Sequence, residues 1–425
     1  MNGPPASLRL YRLLTTLAAP FAPIALRRRA GRGKEDPARL AERLGRASLL
    51  RPDGTLVWIH GASVGESLSH LPLVERLFAE RPDLHILVTS GTVAAAAILE
   101  RRLPRDVIHQ YLPVDTPGAA RRFAGHWRPD LAILVESELW PNLLSAVRRQ
   151  GARLVLLGAR MSRDSARAWD RAPRAARAIL GLFDRIYAND AETRDWIEDL
   201  GIEVAGRLDL KRLAEPLPYD ADAFERLRAA IGGRRVVVAA STHLGEEVLI
   251  GEAMRDLDPR PLLIMVPRHP ERGGAVAVAL AARGWGVLQR SQIDVPGPKT
   301  DVYVADTLGE LGLLYRLADV VVMGGSFIEG GSGHNPLEPA RLGKPVITGP
   351  HVDAFAEVYA EFTAERAVLI APDKAGLASA LHALIAEPRM AKALGERALW
   401  ACARGWEAFD RVWTELLLLL PPGPA

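Results

Sequence analysis

The chain has 425 residues, of which 48% are hydrophobic and 25% charged, with 37 glycines and 31 prolines. That composition excludes collagen-like, coiled-coil and largely disordered chains, and the length favours two domains over one core. One cysteine, Cys402, excludes an intramolecular disulfide and a cysteine-based zinc site; the net charge of +3, carried by 48 arginines among 54 basic residues without a basic repeat or aromatic-interleaved run, does not point to nucleic acid.

The first element is the stretch Ser7 to Leu26, SLRLYRLLTTLAAPFAPIAL, whose uncharged part from Leu13 to Leu26 is 14 residues long. A spanning helix needs about 20 residues, and Pro20 and Pro23 interrupt this one. A signal peptide carries its charge before the apolar stretch, whereas here the heavier charge, Arg27, Arg28, Arg29, Arg32 and Lys34, follows it. The expectation is an uncleaved helix lying on a membrane surface, with cations near anionic headgroups and the rest of the chain on the cytoplasmic face. The competing expectation is an ordinary buried N-terminal helix.

Beyond residue 50, short apolar runs alternate with helix-like stretches. Strands are expected at Thr55–His60, Leu84–Thr89, Val107–Tyr111, Leu131–Val135, Arg153–Leu157 and Arg185–Ala188, with helices over Glu66–Ala79, Thr92–Arg102 and Pro141–Gln150. These strands are apolar on both faces, as buried parallel strands are. The segment Leu213–Asp220, LAEPLPYD, reads as a linker. A second series follows at Arg235–Ala240, Leu262–Val266, Asp301–Ala305, Val320–Met323, Pro345–Thr348 and Ala367–Ile370, and residues 388–417 read as helical. The pattern predicts an α/β chain of two Rossmann-like domains facing a central cleft. The expected divisions are a membrane-surface anchor over 1–34, an N-terminal domain over 35–212 and a C-terminal domain with a closing helix over 213–425.

Polar clusters fall at the predicted strand ends. His60 opens HGASVGES, in which Glu66 begins the next helix; alone it reads as a helix-start acid, and the functional alternative is a general base. Leu131–Val135 ends in ESELWPN, where Glu136 and Glu138 are expected on one side of an extended segment, each raising the other's pKa. In the second half, STHLGEE (241–247) fits a capping box, and PRHPER (267–272) gathers Arg268, His269 and Arg272 into a plausible anion site. The stretch 324–345, GGSFIEGGSGHNPLEPARLGKP, runs a glycine-rich loop into a helix start at Asn335–Pro336, with Glu338 placed to bind sugar hydroxyls. It is neither a Walker A loop nor a dinucleotide fingerprint.

As a set, HGASVGES, VESELWPNLL, ARMS, ASTHLGEE, VPRHPER, ADTLGEL, GGSFIEGGSGHNPLEPA and GPHVDAF, together with GKEDPARLAERLG near the N-terminus, resemble the 3-deoxy-D-manno-octulosonic acid (Kdo) transferases of lipopolysaccharide synthesis. The resemblance covers nearly the whole chain. It implies a GT-B glycosyltransferase, inverting and independent of metal or other cofactor. The donor would be CMP-Kdo and the acceptor a lipid A precursor, at the cytoplasmic face of the bacterial inner membrane. By the same resemblance Glu66 is the base that deprotonates the acceptor hydroxyl, and Glu136 supports the transition state. CMP would be held by Pro267 and Arg268, by Leu308, Gly309 and Glu310, and by Asn335, Pro336, Leu337 and Glu338, with Arg268 and the helix start at Asn335–Pro336 offsetting the phosphate charge.

The chain departs from the family pattern in four places. Where the family has Gly-x-Leu-Lys and then Asp two residues on, this chain reads Gly206-Arg207-Leu208-Asp209-Leu210-Lys211, so Lys and Asp have traded places. Lys211 is expected to take over that supporting role only if the loop shifts, with Arg207 as another candidate cation. Gly158 stands for the family's Asn before Ala-Arg, the glycine-rich loop carries an extra residue near Ser332, and Ala354 stands for the Asn before Phe. These departures motivate an alternative, a diverged relative with another donor or little activity. A third possibility, a sugar-nucleotide epimerase of similar architecture, explains neither ELWPN nor the N-terminal segment, and a scaffold role leaves the strand-end acids unexplained.

Overall fold

The computed structural model describes residues 4–422; residues 1–3 of the expected anchor lie outside the described residues. The chain divides into two compact units, Met1–Ala214 with Gly405–Ala425, and Glu215–Arg404.

The first unit is built on seven strands, β1 (Leu56–His60), β2 (His85–Ser90), β3 (Ile108–Tyr111), β4 (Leu131–Val135), β5 (Arg153–Ala159), β6 (Arg185–Ala188) and β7 (Gly206–Arg207). They form one parallel sheet in the order β3-β2-β1-β4-β5-β6-β7. Side chains alternate between faces along a strand. Val57 and Ile59 therefore enter one core with Leu73, Val88 and Ile133, while Leu56 and Trp58 enter the other with Phe123, Trp127 and Leu143. The first core is completed by Phe409, Val412, Trp413, Leu416 and Leu420 from the helix Pro388–Leu419. Full burial of such side chains contributes about 1.5–3 kcal/mol each, which explains why the end of the chain belongs with its beginning.

The second unit repeats the plan with β8 (Val236–Thr242), β9 (Leu262–Pro267), β10 (Val287–Gln289), β11 (Val302–Val304), β12 (Val320–Met323), β13 (Val346–Thr348) and β14 (Leu369–Ile370). Its sheet is also parallel, in the order β10-β11-β9-β8-β12-β13-β14. In each sheet the strand order reverses around the first strand, between β1 and β4 and between β8 and β12. Such switch points leave a crevice beyond the carboxyl ends of the strands, where ligands of open α/β sheets bind.

The helix expected over Glu66–Ala79 is two helices, Val64–Ser69 and Leu71–Glu80, broken at His70. The N-terminal segment folds as Ala6–Ala18, a 3-10 turn Ala19–Phe21 containing Pro20, and Ala22–Ala30. Tyr11 donates to Asp115 at 2.9 Å, and Asn142 Nδ2 donates to Thr15 Oγ1 at 3.0 Å. With that side docked, Leu10, Leu13, Leu14, Leu17, Phe21 and Ile24 are each more than half exposed. Among the described residues no helix is long and apolar enough to cross a membrane.

Candidate active site

The carboxyl ends of β1 and β4, at the first switch point, carry three acids. Ser63 caps the helix Val64–Ser69: its hydroxyl accepts from the Glu66 N–H at 3.3 Å and donates to Glu66 Oε1 at 2.9 Å, while Glu66 Oε2 accepts from the Ala62 N–H at 2.7 Å. Ser63 thus caps the helix while Glu66 reaches back to the N–H before the cap, a variant of the capping box, so the helix-start reading of Glu66 describes its local structure. Each carboxylate oxygen keeps a further lone pair, and among the described residues no cation pairs with this group. Burial raises the Glu66 pKa above the ordinary carboxylate value, the hydrogen bonds from Ala62 and Ser63 oppose the rise, and the charges of Glu138 and Glu136 add to it.

The two acids of ESELWPN do not lie on one extended segment. Glu136 takes a left-handed conformation, φ 61°, and the chain turns there. A side chain in that region costs on the order of 1–3 kcal/mol and persists only where its surroundings hold it. Here the Glu136 N–H donates to the Leu157 carbonyl at 3.0 Å, and Glu136 Oε1 pairs with Lys211 Nζ at 2.8 Å. The sequence left Lys211 dependent on a shift of its loop; a 3-10 turn, Leu210–Leu213, supplies the geometry. Asp209 caps that turn by accepting from the Lys211 N–H at 3.0 Å. Burial raises the Asp209 pKa, opposed by Arg212. Asp209 thus shapes the turn that carries Lys211, and Arg207 is exposed on β7.

Glu138 turns the other way. Its Oε2 lies 3.1 Å from His60 Nε2 and accepts from Trp140 Nε1 at 2.6 Å. The far side of the fully buried His60 meets Thr89 Oγ1 at 2.9 Å, which accepts from Trp58 Nε1 at 2.8 Å. Burial pushes the Glu138 pKa up, but His60 and Trp140 outweigh it and the net direction is down. The sequence marked Glu138 without assigning it a role; its partner His60 and the Thr89 behind that ring sit on two strands and could be connected only once strand order was known.

In the second unit the predicted nucleotide contacts lie at or beyond the carboxyl ends of β9, β11 and β12, and the end of β8 packs among them. Ser241 is left-handed at φ 57°, and Thr242 pairs in register with the buried Pro267. The Arg268 N–H donates to the Thr242 carbonyl at 2.9 Å. The Arg268 side chain is exposed, and its charge acts on His243, His334 and Glu338. His243 and His334 meet Nε2 to Nε2 at 2.8 Å, one ring donating to the other; burial and then the charge of His243 lower the His334 pKa to about 4. The buried Glu246 ties the glycine-rich loop to the end of β8, accepting from the N–H groups of Gly325 at 2.6 Å and Phe327 at 3.4 Å in the loop and of His243 at 2.6 Å. A Cβ at Gly324 would sit 2.7 Å from the Ser241 carbonyl oxygen and from Thr242 Cα, so only glycine fits there. Glu246 was hidden in the sequence as one of two helix-start acids.

Asn335 Oδ1 accepts from the Leu337 N–H at 3.1 Å, and Pro336 precedes the helix Leu337–Ala340. That helix is only four residues long, so its dipole is much weaker than the sequence implied. Burial raises the Glu338 pKa. Leu308 is exposed, Gly309 has φ 82°, and Glu310 is bound to Arg290 at 2.7 Å, with its pKa lowered by that hydrogen bond. The Glu310 carboxylate is thereby committed to Arg290, and the segment 308–310 offers a ligand mainly its backbone. No cluster of three metal-ligating side chains occurs among the described residues.

Residues 38–211 match the family model described as 3-Deoxy-D-manno-octulosonic-acid transferase (kdotransferase). A probable 3-deoxy-D-manno-octulosonic acid transferase, mitochondrial, of Arabidopsis thaliana is 38% identical over 82% of this chain and 81% of its own length. The 3-deoxy-D-manno-octulosonic acid transferase of Bordetella pertussis is 37% identical over 86% of this chain and 87% of its own. The chain belongs to the Kdo transferase family. As a Kdo transferase it is a glycosyltransferase, and the structure of a glycosyltransferase from Rickettsia africae superimposes with a TM-score of 0.55, covering 86% of this chain and 99% of that one. At 12% identity that likeness is one of fold, the two-Rossmann GT-B plan. Within this Kdo transferase the three strand-end acids and Lys211 share one unit, and Arg268 with the glycine-rich loop shares the other.

Proposed function

We propose that this Kdo transferase moves Kdo from CMP-Kdo to a hydroxyl of a lipid A precursor in lipopolysaccharide synthesis, with inversion at the anomeric carbon and no resident metal. The acceptor oxygen attacks the anomeric carbon, the bond from that carbon to the CMP phosphate breaks, and the acceptor proton passes to Glu66. The raised pKa of Glu66 supports this role, because a base poised nearer neutrality is a better proton acceptor. Glu136 supports the positive charge that develops at the anomeric centre, and Lys211 positions Glu136. Arg268 offsets the charge on departing CMP, and the backbone of Leu308, Gly309 and Glu310 and the segment Asn335–Glu338 hold the nucleotide.

One observation carries the reading: Lys211 Nζ lies 2.8 Å from Glu136 Oε1 despite the exchange of Lys and Asp along the chain. That contact supports an active enzyme over a diverged, weak relative. The exposed apolar ridge of the N-terminal helices, followed by Arg27, Arg28 and Arg29, supports peripheral attachment to the cytoplasmic membrane surface. Mass spectrometry of the lipid after incubation with CMP-Kdo and a lipid A precursor, without added metal, tests the proposal. A product heavier by one or more Kdo units is expected; an unmodified lipid alongside turnover of another sugar nucleotide contradicts it.

A further inference from the structure

A cavity of about 140 Å³ lies between the helices Ala6–Ala18, Pro117–Trp127 and Pro141–Arg149 of the first unit. Arg9 and Arg12 line it from the first helix, Arg121 from the second and Arg149 from the end of the third, and no acidic side chain lines it. Among the described residues none of these four arginines pairs with a carboxylate. Elsewhere in the unit clustered arginines share an acid: Arg148 and Arg153 share Asp184, and Arg29 and Arg43 share Glu35. All four are exposed around the cavity and stay charged at any working pH, so they form an acid-free concentration of positive charge open to an anion from outside. Consistent with that, burial and the charges of Arg12 and Arg121 lower the Arg149 pKa.

The position of the cavity says which anion. At 100° per residue, Leu8, Tyr11 and Thr15 share the docked side of the first helix, and Leu10, Leu13, Leu14 and Leu17 share the exposed one. Arg9 and Arg12 fall on the flank between them. When the ridge is immersed in a bilayer, that flank lies at the level of the headgroups. We infer that this four-arginine pocket binds the phosphate of an anionic lipid headgroup, so that the N-terminal helix both inserts an apolar ridge and grips a lipid. The inference rests on the peripheral-attachment reading and sharpens it, since the guanidinium fork matches phosphate oxygens pairwise where a diffuse positive surface would not.

Flotation of the full chain with vesicles of phosphatidylcholine alone, or mixed with phosphatidylglycerol, tests it. The wild type is expected on the mixed vesicles. Arg12→Gln with Arg149→Gln should weaken partitioning about 30-fold, from about 1 kcal/mol per basic residue near an anionic surface. Arg12→Lys with Arg149→Lys keeps the charge, loses the fork, and should still weaken it about tenfold. An unchanged Tm in both pairs shows that the fold is intact. Equal binding of the wild type to both vesicle types overturns the headgroup site while leaving membrane attachment standing. Wild-type binding by the lysine pair reduces the pocket to diffuse charge and overturns it as well. Binding to neither vesicle removes the attachment reading, and this inference with it. Inorganic phosphate that raises the Tm of the wild type but not of the glutamine pair, with vesicle binding unaffected by the variants, assigns the pocket to a soluble anion instead.

Discussion

The two units share one architecture and equip it differently. Each ends a strand beside its switch point on a left-handed residue, Glu136 after β4 and Ser241 within β8. In the first unit the strained position delivers a side chain: Glu136 meets Lys211, with Glu66 and Glu138 close enough for their charges to interact. In the second it delivers backbone: Ser241 and Gly324 pack against each other, and the Glu246 carboxylate accepts from two N–H groups of the glycine-rich loop and from that of His243. One sheet plan thus presents acids at one crevice and main chain with cations at the other, and on the proposed reading the first suits proton transfer and the second nucleotide binding.

The contrast predicts that first-unit changes alter turnover and second-unit changes alter donor binding. Glu66→Gln should lower kcat by about 10²–10⁴-fold with CMP affinity unchanged; a matching loss of CMP affinity, measured by calorimetry, would break the contrast. Lys211→Met should cost about 10²-fold in kcat, well beyond Arg207→Met, and Lys211→Arg should recover part of the loss. Glu246→Gln should weaken CMP binding about tenfold and lower unfolding free energy by about 2 kcal/mol, the scale of a charge-assisted hydrogen bond; denaturant unfolding of the variant checks the second figure. The remaining effect bears on stability alone. His70 is fully buried, neither ring nitrogen has a hydrogen-bond partner among the described residues, and burial and then His60 lower its pKa from 6.5 to about 3. Below pH 6.5 the unfolded chain binds a proton that the folded chain refuses. Between pH 6.5 and 3 this residue therefore removes stability as pH falls, by up to about 1.4 kcal/mol per unit. His70→Leu should flatten that slope in pH-dependent unfolding.

Much of this was legible in the sequence because buried parallel strands announce themselves. β4, β6 and β12 begin and end where their apolar runs do, whereas β7 and β10, of two and three residues, are too short and too weakly apolar to register. The break at His70 carried no glycine, and the passage of the helix Pro388–Leu419 from one unit to the other is visible only through the core that its last turns complete. At the site, motif spacing placed Glu66, Glu136 and Arg268 at strand ends. It could not show the turn at Glu136, which reverses the expected pairing with Glu138, nor the 3-10 turn that brings Lys211 to its partner. Both depend on contacts between strands far apart in the chain.

The pH dependence of kcat/KM for Kdo transfer, compared between wild type and Glu66→Gln, tests the central claim most directly. Because burial and two neighbouring carboxylates raise the Glu66 pKa, the acid limb of the wild type should lie above the ordinary glutamate range, with rate rising as Glu66 loses its proton, and the residual activity of Glu66→Gln should lack that limb. The same limb in both proteins would mean that another group accepts the proton.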